Sequence, residues 1–165
     1  MGLFNTEDIK AYIDKPKSED YYIKAFEKYN LTGVDQFKWN WSWWSFFGGV
    51  FFLLYRKLYI EALIFFIILT IVGQLPTSID QIPVIGEIDI VYFLTWIASG
   101  GIFPYFVYRR FRKIKNETDN YIEDKRIDKI RELGGVNNWA LVIGFIFSAL
   151  SISFGIYVLF ISINV

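Results

Sequence analysis

Residues 139–163 read WALVIGFIFSALSISFGIYVLFISI, 25 positions without a charge, inside an uncharged run of 33 from Leu133 to Val165. A helix rises about 1.5 Å per residue, so this segment reaches roughly 37 Å and exceeds the ~30 Å of hydrocarbon in a bilayer. It predicts a transmembrane helix. Two other uncharged runs extend the pattern, 18 residues from Ala62 to Ile79 and 19 from Ile90 to Tyr108, with Tyr at their ends to sit in the headgroup layer. The expected fold is an all-α integral membrane protein with three transmembrane helices at 59–75, 90–108 and 139–163.

Composition agrees. Of 165 residues 54% are hydrophobic and 21% aromatic, above the roughly 45–50% apolar content of ordinary soluble domains. The chain has no Cys and no His, which excludes disulfides, zinc fingers, haem ligation and Ser-His-Asp or Cys-based catalysis. With 17 Lys and Arg against 17 Asp and Glu there is no basic excess, so no nucleic-acid partner is expected.

A fourth uncharged run, 15 residues from Trp41 to Tyr55, is too short to span. Trp39, Trp41, Trp43 and Trp44 open it, Gly48-Gly49 interrupts it, and Arg56-Lys57 follow it. Indole favours the headgroup region, where its ring is covered and its N–H stays wet. The segment 39–58 therefore reads as interfacial or re-entrant, with the four Trp, Arg56, Lys57 and Glu61 as anchors. Glu61 lies one turn past Lys57, at pairing distance on a helix.

Sorting charges by segment gives orientation. Eight basic residues lie between Lys10 and Lys57 and nine between Arg109 and Arg131, whereas the 76–89 connection carries only Asp80, Glu87 and Asp89. The positive-inside rule then sets the N-terminus and 109–138 inside, and 76–89 and the C-terminus outside. The zero net charge hides this split, which leaves 17 basic and 14 acidic residues inside and three acids outside. No signal-peptide core precedes the first run.

The inner parts carry amphipathic helices. Thr6 caps a helix to about Ile13 with Glu7 and Asp8 in its first turn, and Ser18 starts another whose apolar face is Tyr22, Phe26 and Tyr29. These belong to a cytoplasmic unit, 1–38. In 109–138 the cluster Arg109, Arg110, Arg112 and Lys113 is a topology anchor and a candidate site for anionic lipid headgroups. A helix follows from Thr118 to Leu133, with Glu123/Arg126 and Asp128/Arg131 spaced to pair, and Gly134-Gly135 stops it.

Ala140, Gly144, Ser148, Ser151, Gly155 and Ser162 share one face of the last run. Small residues let helix backbones approach closely in lipid, so this face is a candidate packing surface, toward the chain's own spans or a partner's. In the second run Ala98-Ser99-Gly100-Gly101 before Pro104 predicts close packing and a kink. No Walker loop, dinucleotide fingerprint or metal-spaced carboxylate set occurs, so no catalytic residue, metal or cofactor is assigned.

The stretch Phe37-Lys38-Trp39-Asn40-Trp41, continuing through Phe46-Phe47-Gly48-Gly49 to Leu54-Tyr55-Arg56-Lys57-Leu58-Tyr59, resembles a bacterial HrgC-like family of small membrane proteins of unknown function. Leu133-Gly134-Gly135-Val136-Asn137 is similar to that family's double-glycine element before its last hydrophobic segment, and Gly49 stands where the family has Pro. The resemblance implies a bacterial inner-membrane location and no particular activity. The functional expectation is a non-enzymatic accessory or scaffold subunit with the bilayer and a homo- or hetero-oligomeric membrane partner. The alternative is a homo-oligomeric pore-forming or membrane-perturbing effector.

Overall fold

The computed structural model describes residues 4–72 and 90–164, and every regular element among them is a helix. In order these are α1 (Thr6–Ile13), α2 (Pro16–Tyr29), α3 (Trp43–Tyr55), α4 (Tyr59–Val72), α5 (Ile90–Thr118), α6 (Glu123–Leu133) and α7 (Asn138–Asn164). Asn5 rather than Thr6 caps α1, accepting from the Glu7 N–H at 3.0 Å. The second helix starts at Pro16, whose missing N–H costs nothing at a first-turn position.

A head forms where α1, α2 and α6 close around the C-terminal half of α5. Its centre is aromatic: the Phe26 ring stacks on Phe111 at 5.1 Å and meets Tyr108, Tyr22 and Tyr12 at 5.2, 5.8 and 6.4 Å. Ile9, Ile13, Val107 and Ile130 fill the remaining space and are fully buried. From one side of this head rise α3, α4, the N-terminal half of α5 and α7, where Ile60, Leu63, Phe66, Ile143 and Phe145 stay exposed.

Three spans are not what the structure contains. Among the described residues one helical stretch, within Glu123–Leu150, is long and apolar enough to cross a membrane, and its apolar part belongs to α7. Of the run expected at 59–75, the described part is α4, which does not pass as a span among the described residues. The run at 90–108 fails through its packing. Its C-terminal half is sealed against protein, Val107 and Tyr108 in the head core and Phe103 against Phe52 of α3 and Phe65 of α4, and Gly100 and Gly101 receive the rings of Trp41 and Trp39. An uncharged stretch satisfies the spanning pattern whether its partner is lipid or aromatic side chains. The 76–89 connection, with Asp80, Glu87 and Asp89, lies outside the described residues.

Candidate functional site

The candidate site is the junction where the apolar helices leave the head. It begins with a carbonyl. Pro104 has no N–H, so the Gly100 carbonyl one turn earlier loses its helical donor. The Ser42 N–H takes that place at 2.9 Å and the Ser45 hydroxyl donates to the same oxygen at 3.3 Å. Ser42 also caps α3 by accepting from the Ser45 N–H at 3.3 Å. A proline in one helix thus fixes the start of another. Glycine is required beside it, because a Cβ at Gly100 or Gly101 would lie 2.7 or 2.4 Å from the Trp41 or Trp39 ring.

Gly49 divides α3. Its φ of +48° and ψ of −127° turn the chain sharply within an otherwise helical segment. This is a left-handed conformation that glycine adopts freely and that the proline expected from the family resemblance cannot reach.

Below α3 the basic side chains turn inward. Arg56 is buried; its Nη1 donates to the Ile13 carbonyl at 3.0 Å and its guanidinium sits 4.8 Å from the Tyr22 ring centre. Among the described residues no carboxylate lies within ion-pair distance of it, so the negative end of α1 and the ring face offset its charge. The Gly135 N–H donates to the Tyr12 carbonyl at 2.7 Å, and Tyr12 itself donates to the Val107 carbonyl at 3.1 Å. Together these close the C-terminal end of α1. Lys57, at φ +59°, sends its ammonium to the Glu132 carbonyl at 3.0 Å rather than to Glu61. Arg110 donates to the Lys57 carbonyl, and to the Leu133 carbonyl at 3.3 Å. Burial, and next the Arg110 cation, lower the Lys57 pKa against the pull of Asp14 and Glu132. Burial likewise raises the phenols of Tyr12 and Tyr22, keeping both neutral beside these cations.

A second polar node holds the strap between α2 and α3. Asp35 accepts from Tyr108, from Asn30 Nδ2 at 2.5 Å and from Arg112 Nε at 3.1 Å. Partial burial works against ionisation of Asp35, but the three hydrogen bonds outweigh it and hold the carboxyl below its ordinary range. The third node is the fully buried Asp8, 3.0 Å from Lys115 Nζ and 3.2 Å from Arg126 Nη2, which joins α1 to α5 and α6. Glu123–Arg126 and Asp128–Arg131 also approach, at 3.9 and 3.5 Å.

Of the four residues expected to meet headgroups, Arg109 and Lys113 are exposed, whereas Arg110 and Arg112 are engaged within the protein. Trp43 and Trp44 are exposed, while Trp41 is half-buried. On α7, Gly144 faces α3: a Cβ there would meet Leu54 Cδ1 at 3.0 Å and Phe51 Cε1 at 3.2 Å. Ser148 donates back to the Gly144 carbonyl at 3.0 Å, and the Ala140 N–H donates to the capping Asn137 side chain at 3.0 Å. The side chains of Ser151, Gly155 and Ser162 lie outside the described residues. Gly144 and Ser148 border a groove of about 420 Å³ between α3, α4 and α7, lined otherwise by residues such as Val50, Leu54, Leu63 and Phe66. Among the described residues no three Asp or Glu are grouped to hold a metal.

Asp8, Asp35, Tyr108 and Asn137 carry these junctions without having been singled out by the sequence. Asp8 looked like a first-turn acid, and only the approach of Lys115 from more than a hundred residues away makes it a tether. Residues 11–110, from α1 through the first part of α5, match the family described as "Protein of unknown function (DUF2628)". No curated protein and no solved structure matches the chain.

Proposed function

The chain belongs to the DUF2628 family, whose function is unknown, and on its own geometry we propose that it is a membrane-seated, non-enzymatic accessory or scaffold protein. One observation carries this reading: the apolar side chains of α3, α4 and α7 are exposed together on the side where α7 is long enough to enter a bilayer. Monomeric soluble proteins rarely expose apolar patches beyond a few hundred Å². In this reading α7 crosses the membrane once and the head stays at its inner surface. The basic residues of Lys10–Lys57 and Arg109–Arg131 support that orientation. Arg109 and Lys113 then face anionic headgroups, and the outward face of α7 at Ile143, Ile146 and Leu150 meets a membrane partner. The groove beside Gly144 is lined mainly by apolar side chains, which favours a scaffold over a pore.

The test is alkaline extraction of native membranes followed by photo-crosslinking from Ile146. Retention in the membrane with a discrete crosslinked partner or second copy is expected. Release at high pH, or a lone monomer without any crosslink, defeats the proposal.

A further inference from the structure

The strap and α3 make an excursion that leaves the head and comes back to it. Its course can be followed against α5. Asp35 is bonded to Arg112, the Phe37 ring lies 5.3 Å from Tyr105, and Trp39 and Trp41 lie on Gly101 and Gly100. The Phe46 ring then reaches Trp96 at 6.0 Å. After the break at Gly49 the direction reverses: Phe52 stacks near Phe103 at 6.2 Å, and the Lys57 carbonyl accepts from Arg110. The α5 partners therefore run 112, 105, 101, 100, 96, 103, 110. Both feet stand at one level, and the turning point lies fourteen to sixteen residues away, about 21–24 Å along the helix.

We propose that residues 35–57 form a re-entrant hairpin that enters the head-side leaflet to about half the bilayer depth and returns to the same side. This rests on the membrane reading above. Three features suit the hairpin to lipid and to no other occupant. No charged residue lies from Trp39 to Tyr55. The tip residues Trp43, Trp44 and Phe47 are exposed, and the ring neighbours of Trp43 and Phe47 are each other, Phe46 and Trp41, so the outer faces of the tip meet whatever surrounds α7. Non-helical backbone is tolerated at membrane depth only when the protein satisfies it. Here Lys28 Nζ donates to the Trp39 carbonyl at 2.6 Å, the Tyr21 hydroxyl to the Trp41 carbonyl at 3.0 Å, and the Ser42 N–H to Gly100. Because the hairpin occupies one leaflet, it acts as an aromatic wedge there and leaves the opposite leaflet unfilled.

The absence of native Cys makes the test direct. Single-cysteine chains Phe47→Cys and Trp44→Cys, both at exposed tip positions, carry a nitroxide for depth measurement by oxygen and water-soluble relaxation agents. Leu31→Cys and Asp119→Cys report the side of the head with an impermeant maleimide in sealed vesicles. The expected result is a tip roughly 10–20 Å below the phosphates, with Leu31→Cys and Asp119→Cys labelled from the same side. A tip at phosphate depth in both variants overturns the hairpin in favour of a segment lying in the membrane plane. A tip reached by the water-soluble agent from the side opposite the head overturns it in favour of a crossing. If alkaline extraction releases the reconstituted chain, the membrane reading itself fails and the hairpin with it. A membrane-retained chain with a shallow tip sinks the hairpin alone.

Discussion

Phe26 on α2 and Phe66 on α4 are the same residue at helical positions, yet one is fully sealed and the other is half open. Around Phe26 the neighbouring helices carry Lys, Glu and Asp on their outer faces, so apolar groups close inward and charges form the coat. Around Phe66 there is no such coat; α4 and α7 are apolar on nearly every face. The head closes over its own apolar groups, whereas the other side leaves them exposed. The placement of charges sets the burial of the two rings apart, and that difference is measurable.

The largest effect is expected from Phe26→Ala. Emptying a sealed aromatic site costs about 4 kcal/mol, read as lost head stability in denaturant titrations of the detergent-solubilised chain. Phe66→Ala should stay within about 0.5 kcal/mol in the same assay. Equal losses would dissolve the distinction between the regions.

Asp8→Ala comes next. Removing the carboxylate leaves Lys115 and Arg126, each under a fifth exposed, without their shared partner. Breaking a buried ion pair on one side costs about 3 kcal/mol. Protease sensitivity of α1 should rise with it, and an unchanged digestion pattern would show that the aromatic core alone secures that helix.

Gly134→Ala tests the seam between the head and α7. An added Cβ would sit 2.5 Å from Tyr12 Cδ2 and 2.8 Å from the Tyr12 carbonyl, so α6 must move away from α1. Overpacking of this kind costs about 2 kcal/mol. The thermal midpoint of the head should fall while membrane retention stays as in the parent chain. Loss of retention would mean that head and apolar side are one cooperative unit.

These positions also show what the sequence made legible. Helix content followed from periodicity, and the apolar faces of the short helices, such as Tyr22, Phe26 and Tyr29, became core as their spacing implied. The close packing expected near Gly100-Gly101 is present, because small residues and a following proline have local consequences. The spans misled, because absence of charge does not specify the apolar partner; Val107 and Tyr108 meet aromatic rings of α1 and α2. The tethers at Asp8 and Asp35 were beyond reach, since each joins residues more than seventy positions apart and no local pattern marks them.

The smallest effect sharpens the comparison at its boundary, where the strap leaves the head. Asp35 is held below its ordinary carboxylate range, so it binds fewer protons in the native state than when unfolded. Its contribution is therefore complete above the ordinary value near 4 and disappears as pH falls through the lowered native one. Because the side chain is more than a third exposed, solvent screens the Arg112 pair and its value at neutral pH is at most about 1 kcal/mol. Asp35→Asn should accordingly lower head stability slightly at pH 7 and flatten the decline below pH 4, measured as melting temperature against pH for both chains. If the two profiles stay parallel, the geometry of Tyr108 and Asn30 secures the foot of the strap without help from charge. A hairpin anchored that way should keep its depth in acid, whereas one that depends on the Asp35 carboxylate should loosen at its outgoing foot before the head unfolds.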